Sequence, residues 1–545
     1  MNPPRPVTAV TRFDRWRDSL RGDPRRARLW RWLVPAVITL VAFALRVFRI
    51  GDPHVLVFDE TYYVKDSWSQ WVLGYPSTWP EGFDPSFVAG DTEGFTGVGS
   101  YVVHPPLGRV LIGVGMWIFG PESATGWRIS AALFGTATVL LVYLLARSLS
   151  GSIVLAAVAS GLLAIDGLGI VLSRVALLDV FLTFFVVLAF WFVARDRAHA
   201  VDRLAARAWD DPGPEREREE SDRPEFVRPD SDRSGRGAER RTWGPVLWDR
   251  PWLLAAGAAA GAATAVKWSG LYVLAAVGIY VVVTDALARR RAGVHQWPIA
   301  AAFRQGPVSF VLLVPTALIV YLASWSGWFL TTGGWGREST AAAEGIFSWV
   351  PLPLQNLWRY HEAMYGFHVG LTSGHSYASP AWQWPLLLRP TSMWWHQDAA
   401  GQDGCMLSGG CTEAVSSLPN PLIWWAGVAA AVYLLVQFVR LRDWRFALVL
   451  TGLAATYVPW LFYPERTIFQ FYTVAMAPFL VLALAFALRD VSRGLRGASR
   501  RSGQLIVVIV LAACLLVSAF WYPVWTGLPV PYEFWRLHNW LPSWI

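Results

Sequence analysis

The sequence predicts an all-α membrane protein that crosses the bilayer about eleven times. Three observations predict this. The 545 residues are 54% hydrophobic and only 16% charged, with a mean hydropathy of +0.35; soluble domains carry about a quarter charged residues. Apolar runs long enough to span a hydrocarbon core, about 17–25 residues, recur along the chain. Arginines gather in every second connection between these runs, as expected for the cytoplasmic face. The 33 tryptophans add interfacial anchors.

The chain opens on an Arg-rich stretch, 1–30, expected to be a cytoplasmic tail. The apolar run behind it is full span length and lacks a small-residue cleavage site, so an uncleaved anchor is expected rather than a signal peptide. Spans are predicted at 31–50, 128–147, 152–171, 177–195, 252–267, 270–287, 307–325, 421–439, 444–461, 467–488 and 504–522. The basic connections follow the second, fourth, sixth, eighth and tenth runs, which puts them on the side of the N-terminus. The N-terminus is then cytoplasmic and the tail 523–545 extracytoplasmic, in a multi-pass plasma-membrane protein.

One run breaks the pattern. Leu107–Gly120 is short and Gly-rich, and counting it as a crossing would invert every later loop. It is expected as a juxtamembrane or re-entrant helix, which burial against protein permits. The predicted organisation is then an N-terminal membrane core 31–195 containing an extracytoplasmic loop 51–127, a polar cytoplasmic loop 196–250 expected to be disordered, membrane helices 251–325, a second extracytoplasmic loop 326–420, and C-terminal helices 421–522.

The net charge of +8 lies in short connections and is not a nucleic-acid signal. Cys405 and Cys411 share the second outer loop, where a disulfide is open to them. No spacing of His and Cys reads as a metal site. There is no Walker loop and no dinucleotide fingerprint, so neither a nucleotide donor nor any cofactor is indicated.

The chemistry-bearing residues collect at one face. Asp59-Glu60 stands just outside the first span, where carboxylates are costly unless they serve or are partnered. Adjacent residues point apart, so divided roles are expected: one accepts a proton, the other orients. In His104-Pro105-Pro106-Leu107-Gly108 the prolines fix a rigid helix entry that holds His104 toward a site or leaves it a bystander. Arg128 opens the second run. Arg174 and Asp179 flank a turn at the same face, and a local ion pair between them is the plain structural alternative. Lys267 sits between two runs with almost no loop, placed to meet headgroups or a substrate phosphate. Arg466 has the same two readings, with Glu465 as its structural partner. His361, His368, His375 and His396 of the second loop are expected as exposed structural histidines, with acceptor contact as the alternative. Cations near an interface suit a lipid phosphate, and a carboxylate within reach suits activation of a hydroxyl. Together they describe displacement of a phosphate leaving group from a lipid-linked sugar.

Several stretches, in this order, resemble the protein O-mannosyltransferases, and most closely the bacterial, actinobacterial-type members. They are Phe58-Asp59-Glu60, His104 to Gly108, Trp127-Arg128 with Ala131, Leu133, Phe134 and Gly135, Ser173-Arg174 through Leu178-Asp179, and Val266-Lys267-Trp268-Ser269-Gly270-Leu271. The resemblance implies a C-type glycosyltransferase architecture without the β-trefoil domain of eukaryotic members, for which 326–420 is too short and too poor in strand pattern. It implies inverting transfer of mannose from polyprenyl-phosphate-mannose to Ser or Thr of secreted polypeptides, without a metal. Association with the secretion translocon is the protein partner this implies. By motif, Asp59 is implied as general base and Glu60 as a positioning group. Arg128, Lys267, His104 and Arg174 are implied at the donor phosphate, with Asp179, Arg466 and Tyr472 in support. The residues alone also admit a related transferase acting on a lipid or cell-wall glycan, and a transporter. Against transport, the charged residues sit at span ends rather than mid-bilayer, and no internal repeat is visible.

Overall fold

The computed structural model describes residues 23–209, 242–338, 345–402, 405–494 and 499–545. These residues are overwhelmingly helical. The helices are α1 (Pro24–Val47), α2 (Glu60–Leu73), α3 (Asp84–Val88), α4 (Leu107–Phe119), α5 (Ala124–Ser150), α6 (Ile153–Ala164), α7 (Gly167–Val171), α8 (Asp179–Trp209), α9 (Pro251–Val266) and α10 (Gly270–Arg291). They continue with α11 (Gly306–Ser324), α12 (Ser326–Leu330), α13 (Leu352–Gly370), α14 (Pro421–Leu441), α15 (Trp444–Tyr457), α16 (Ala477–Ser492), α17 (Arg500–Thr526) and α18 (Tyr532–Arg536). Among the described residues, seven helices are long and apolar enough to cross a membrane, α11 counting with the turn that leads into it and α15 with the turn that follows it. Three more apolar helices, α4, α6 and α9, are shorter. Length and composition therefore support a multi-pass membrane protein.

The differences from expectation have local causes. Asp23 accepts from the backbone N–H of Arg25 and Arg26, so the first helix starts at Pro24 and takes in the end of the expected tail. The run 152–171 is two helices, broken at Ile165-Asp166, where Asp166 caps α7 and accepts from the backbone N–H of Asn420 at 3.0 Å. The fourth run does not stop at 195 but continues helically to Trp209. The polar loop expected to be disordered thus begins as helix, and its residues 210–241 lie outside the described residues. The run 467–488 holds only a tight turn, Gln470–Ala475, before α16. The chain from Val458 to Met476 is irregular because Pro459 and Pro464 interrupt it. As expected, α4 is a 13-residue helix, too short at 1.5 Å per residue to span about 30 Å of hydrocarbon.

Helix α9 is the axis of the membrane body, packed between α8 and α11. A Cβ at Gly257 or Gly261 would collide with backbone of Leu313 or Ala317, so α11 approaches only because these positions are glycine. Helices α8 and α9 are tied at both ends. Arg250 donates to Asp196 and Asp285 at one end, and Lys267 donates to Asp179 at the other. Seventeen residues separate the two attachments on each helix, about 25 Å of helix.

The 326–420 segment is less irregular than its composition implies. It carries α13 and an antiparallel hairpin of β1 (Thr391–Asp398) and β2 (Cys411–Ser417), closed by a Cys405–Cys411 disulfide. The C-terminal tail packs on this segment: Val530 and Thr412 exchange backbone hydrogen bonds at 3.0 and 2.7 Å, and Trp544 Nε1 donates to the Leu387 carbonyl. The tail and this loop therefore share one side of the molecule.

Candidate active site

Asp59 immediately precedes α2, yet its side chain does not cap the helix. Its carboxylate makes no hydrogen bond among the described residues. The residue before it, Phe58, has φ 53°, the left-handed region. For a bulky residue this is an outlier, of order 1–3 kcal/mol in strain. Edge-to-face contacts hold it there, with Phe469 and Phe471 each at 5.7 Å and His375 at 6.1 Å. The strained turn sets the direction in which Asp59 leaves the backbone.

Glu60 is fully buried and bound on both oxygens. Oε1 accepts from Arg128 Nε at 2.9 Å and from the Ala176 N–H at 2.7 Å; Oε2 accepts from Arg128 Nη2 and the Val57 N–H, each at 2.8 Å. Arg128 also donates to the carbonyls of Ile50, Pro53 and Val55. All five of its N–H groups are used inside the protein. The expectation that Arg128 meets the donor phosphate is therefore corrected: it fastens the Asp59 loop to α5. Glu60 holds that loop and does not reach out to an acceptor. Arg174 is corrected on the same ground. It is 5% exposed, and its two terminal amino groups donate to the carbonyls of Arg46, Phe48, Arg49 and Thr526. It forms no ion pair with Asp179.

The other expected residues converge on a cavity of about 580 Å³, lined by His104, Asp179, Lys267, His361, His368, Arg466 and Tyr472 together with aromatic and aliphatic side chains. Lys267 donates to both Asp179 oxygens at 2.9 and 2.8 Å and lies 4.8 Å from the centre of the Tyr472 ring. Arg466 does not turn to Glu465. Its Nη2 donates to His368 Nδ1 at 3.0 Å, its guanidinium lies over Trp460, and its buried Nε has no partner among the described residues. His104 stacks on His368 with ring centres 5.2 Å apart, and its Nδ1 is likewise buried without a partner. His361 is anchored to Tyr321 and to the Leu357 carbonyl. His361 and His368 are thus cavity residues rather than exposed ones; His396 remains at the surface in the hairpin. Their spacing of seven, two turns on one helix face, was the available signal. Phe58, Tyr321 and Trp460 had no such signal, because their roles depend on distant packing.

Burial is the largest influence on Asp59, raising its pKa to about 6; Lys267 opposes the rise and Asp179 adds to it. Asp59 therefore stands within electrostatic reach of the Lys267–Asp179 pair. Burial, reinforced by Lys267, His368, Arg109 and Arg466, holds His104 well below the usual histidine range. His368 is pushed down to about 4, by burial first and Arg466 second. Both rings are neutral at pH 7, so His104 brings an uncharged hydrogen-bonding group to the cavity. Among the described residues no cluster of three His, Cys, Asp or Glu side chains is placed to hold a metal ion.

Residues 99–209 match the family described as dolichyl-phosphate-mannose-protein mannosyltransferase, and residues 353–544 match the C-terminal four-transmembrane region of protein O-mannosyltransferase. A polyprenol-phosphate-mannose–protein mannosyltransferase of Mycolicibacterium smegmatis (strain MKD8) is 36% identical over 526 residues, spanning 94% of this chain and 93% of the relative. The chain belongs to the protein O-mannosyltransferase family. The similarly described family member of Mycobacterium tuberculosis (strain ATCC 25618 / H37Rv) is 35% identical, with 95% and 92% of the two chains covered. The protein O-mannosyltransferase Pmt1–Pmt2 complex of S. cerevisiae, solved bound to the sugar donor, shares the fold: TM-score 0.67, 15% identity, 94% of this chain and 92% of that one. This protein O-mannosyltransferase thus has the family's C-type glycosyltransferase architecture, as its sequence motifs implied.

Proposed function

We propose that the chain transfers mannose from polyprenyl-phosphate-mannose to Ser or Thr hydroxyls of secreted polypeptides, with inversion at the anomeric carbon. One observation carries the mechanism. Asp59, a carboxylate without hydrogen bonds among the described residues and with a pKa near 6, is within electrostatic reach of Lys267 and Asp179, which with Arg466 line a largely apolar cavity. The apolar walls suit a polyprenyl chain. Arg466, with an unpartnered buried Nε, and Lys267 are the groups for its phosphate. Asp59 takes the proton of the acceptor hydroxyl as that oxygen bonds to the anomeric carbon. The bond from that carbon to the phosphate oxygen breaks, and polyprenyl phosphate leaves with the electron pair. Cations placed where this charge develops favour the transition state. A base with a pKa near working pH is suited to the proton transfer.

The basic connections support a cytoplasmic N-terminus, with the cavity and the C-terminal tail on the extracytoplasmic side of the plasma membrane. Acceptors would then arrive from the secretion translocon. The test is transfer by purified protein from polyprenyl-phosphate-mannose to a Ser/Thr-rich peptide. Asp59→Asn should abolish transfer while leaving folding intact; undiminished transfer by that variant would remove Asp59 as the base.

A further inference from the structure

A second cavity, of about 160 Å³, shares no lining residue with the first. It lies behind the His104–Pro106 segment, between the end of α2, the start of α4, α12 and Tyr360 of α13. Its polar lining is Gln70, Ser100, Arg109, Ser324, whose hydroxyl donates to the Tyr321 carbonyl, and Ser326, and its aromatic walls include Trp328 and Tyr360.

Arg109 is only 2% exposed, and its Nε donates to Gln70 Oε1 at 2.9 Å. Gln70 is held in turn by the Pro106 carbonyl. The guanidinium is thereby fixed in orientation, while its two terminal amino groups have no acceptor among the described residues. No carboxylate lies within ion-pair distance; Asp66 acts on it only at longer range. Arg128, equally buried, has every donor matched. A buried guanidinium with unmatched donors is costly, and the planar fork matches an oxyanion. The Ser100 and Ser326 hydroxyls make no hydrogen bond among the described residues. Ser326 is exposed and marks the mouth.

We infer that this cavity binds one small oxyanion, a carboxylate or phosphate group, on Arg109. At roughly 30 Å³ per water, the volume admits such a group with a few waters and excludes a lipid-linked sugar. The site is separate from the one proposed for the donor.

The test is thermal unfolding of the full-length protein in neutral detergent at constant ionic strength, titrated with inorganic phosphate, with acetate, or with a micellar anionic phospholipid, against chloride. A saturable rise in Tm is expected, lost in Arg109→Gln and in Ser326→Phe, which plugs the mouth without touching Arg109. A rise with phosphate or acetate assigns a soluble anion; a rise that requires the phospholipid assigns a headgroup. No rise with any probe, or a rise that both variants retain, overturns the inference. Should Arg109→Gln fail to fold, Ser326→Phe alone decides. Mannosyl transfer does not enter the readout, so this result is independent of the proposed activity.

Discussion

Lys267 donates to both oxygens of Asp179, at 2.9 and 2.8 Å, and its ammonium lies 4.8 Å from the centre of the Tyr472 ring. The pair is almost wholly buried, at 8% and 2% exposure. Removing one partner strands the other charge, which typically costs about 3–5 kcal/mol. Lys267→Met should therefore lower both thermal stability and transfer. Adding Asp179→Asn should restore most of the stability but none of the transfer. Unfolding curves and transfer rates for the two single variants and the double variant separate these outcomes. Recovery of transfer in the double variant would reduce the pair to a structural tie.

The raised pKa of Asp59 sets a pH dependence of transfer. The carboxylate must be ionised to accept a proton, so transfer should fall about tenfold per unit as pH drops below about 6. Neither His104 nor His368 should add a limb between pH 6 and 8, because both are held neutral there. A rate profile flat from pH 5 to 8 would contradict this.

The same shift has a consequence for stability, of opposite sign to a salt-bridged carboxylate. The folded pKa, about 6, lies above the unfolded value near 4. The folded state therefore binds the extra proton between these values, and stability falls as pH rises through that window. Above pH 6 the buried charge is a standing cost, which Asp59→Asn removes. The variant should unfold at or above the wild-type temperature at pH 8, with its advantage gone by pH 4. Paired melts at the two pH values give the comparison.

Glu60 should respond in the contrary way, though it is the next residue. Four hydrogen bonds end on its carboxylate, two of them from Arg128. Glu60→Ala leaves Arg128 buried and uncompensated, at about 3–5 kcal/mol. The expected result is loss of folded protein from membranes, not a folded enzyme with a slow step. Size-exclusion profiles in detergent would show it, and a monodisperse, inactive Glu60→Ala protein would call for a direct catalytic role.

Arg466→Gln is expected to lower transfer by about a hundred-fold or more, the usual effect of losing a donor to developing charge. Arg466→Lys should recover only part, because a compact ammonium lacks the planar fork whose separate nitrogens reach His368 and a phosphate. Kinetics at varied lipid donor and fixed peptide would locate the defect.

The sequence made the membrane body legible wherever a residue's role follows from its neighbours along the chain. Loop charge and run length gave the helices, and the near absence of a loop around Lys267 placed it at a helix end. Lys267, Asp179, His104, Arg466 and Tyr472, which line one cavity, were legible as a group because span boundaries and motif order put them at one face. Arg128 and Arg174 were misread for a physical reason. A sequence shows that a cation lies near an interface but not whether backbone carbonyls from elsewhere have claimed it. The carbonyls of Ile50, Pro53 and Val55 meet Arg128 from more than seventy positions away. Likewise, nothing local to Phe58 announces its left-handed backbone, which rests on Phe469 and Phe471 more than four hundred positions away.

The backbone exchange between Val530 and Thr412 has a further consequence. A two-stranded hairpin has two open edges, each a template for pairing with another chain. Here the protein's own tail occupies the β2 edge near the disulfide. Shortening the chain after Gly527 would leave the membrane helices whole but bare that edge, and the first symptom would be self-association of the purified protein.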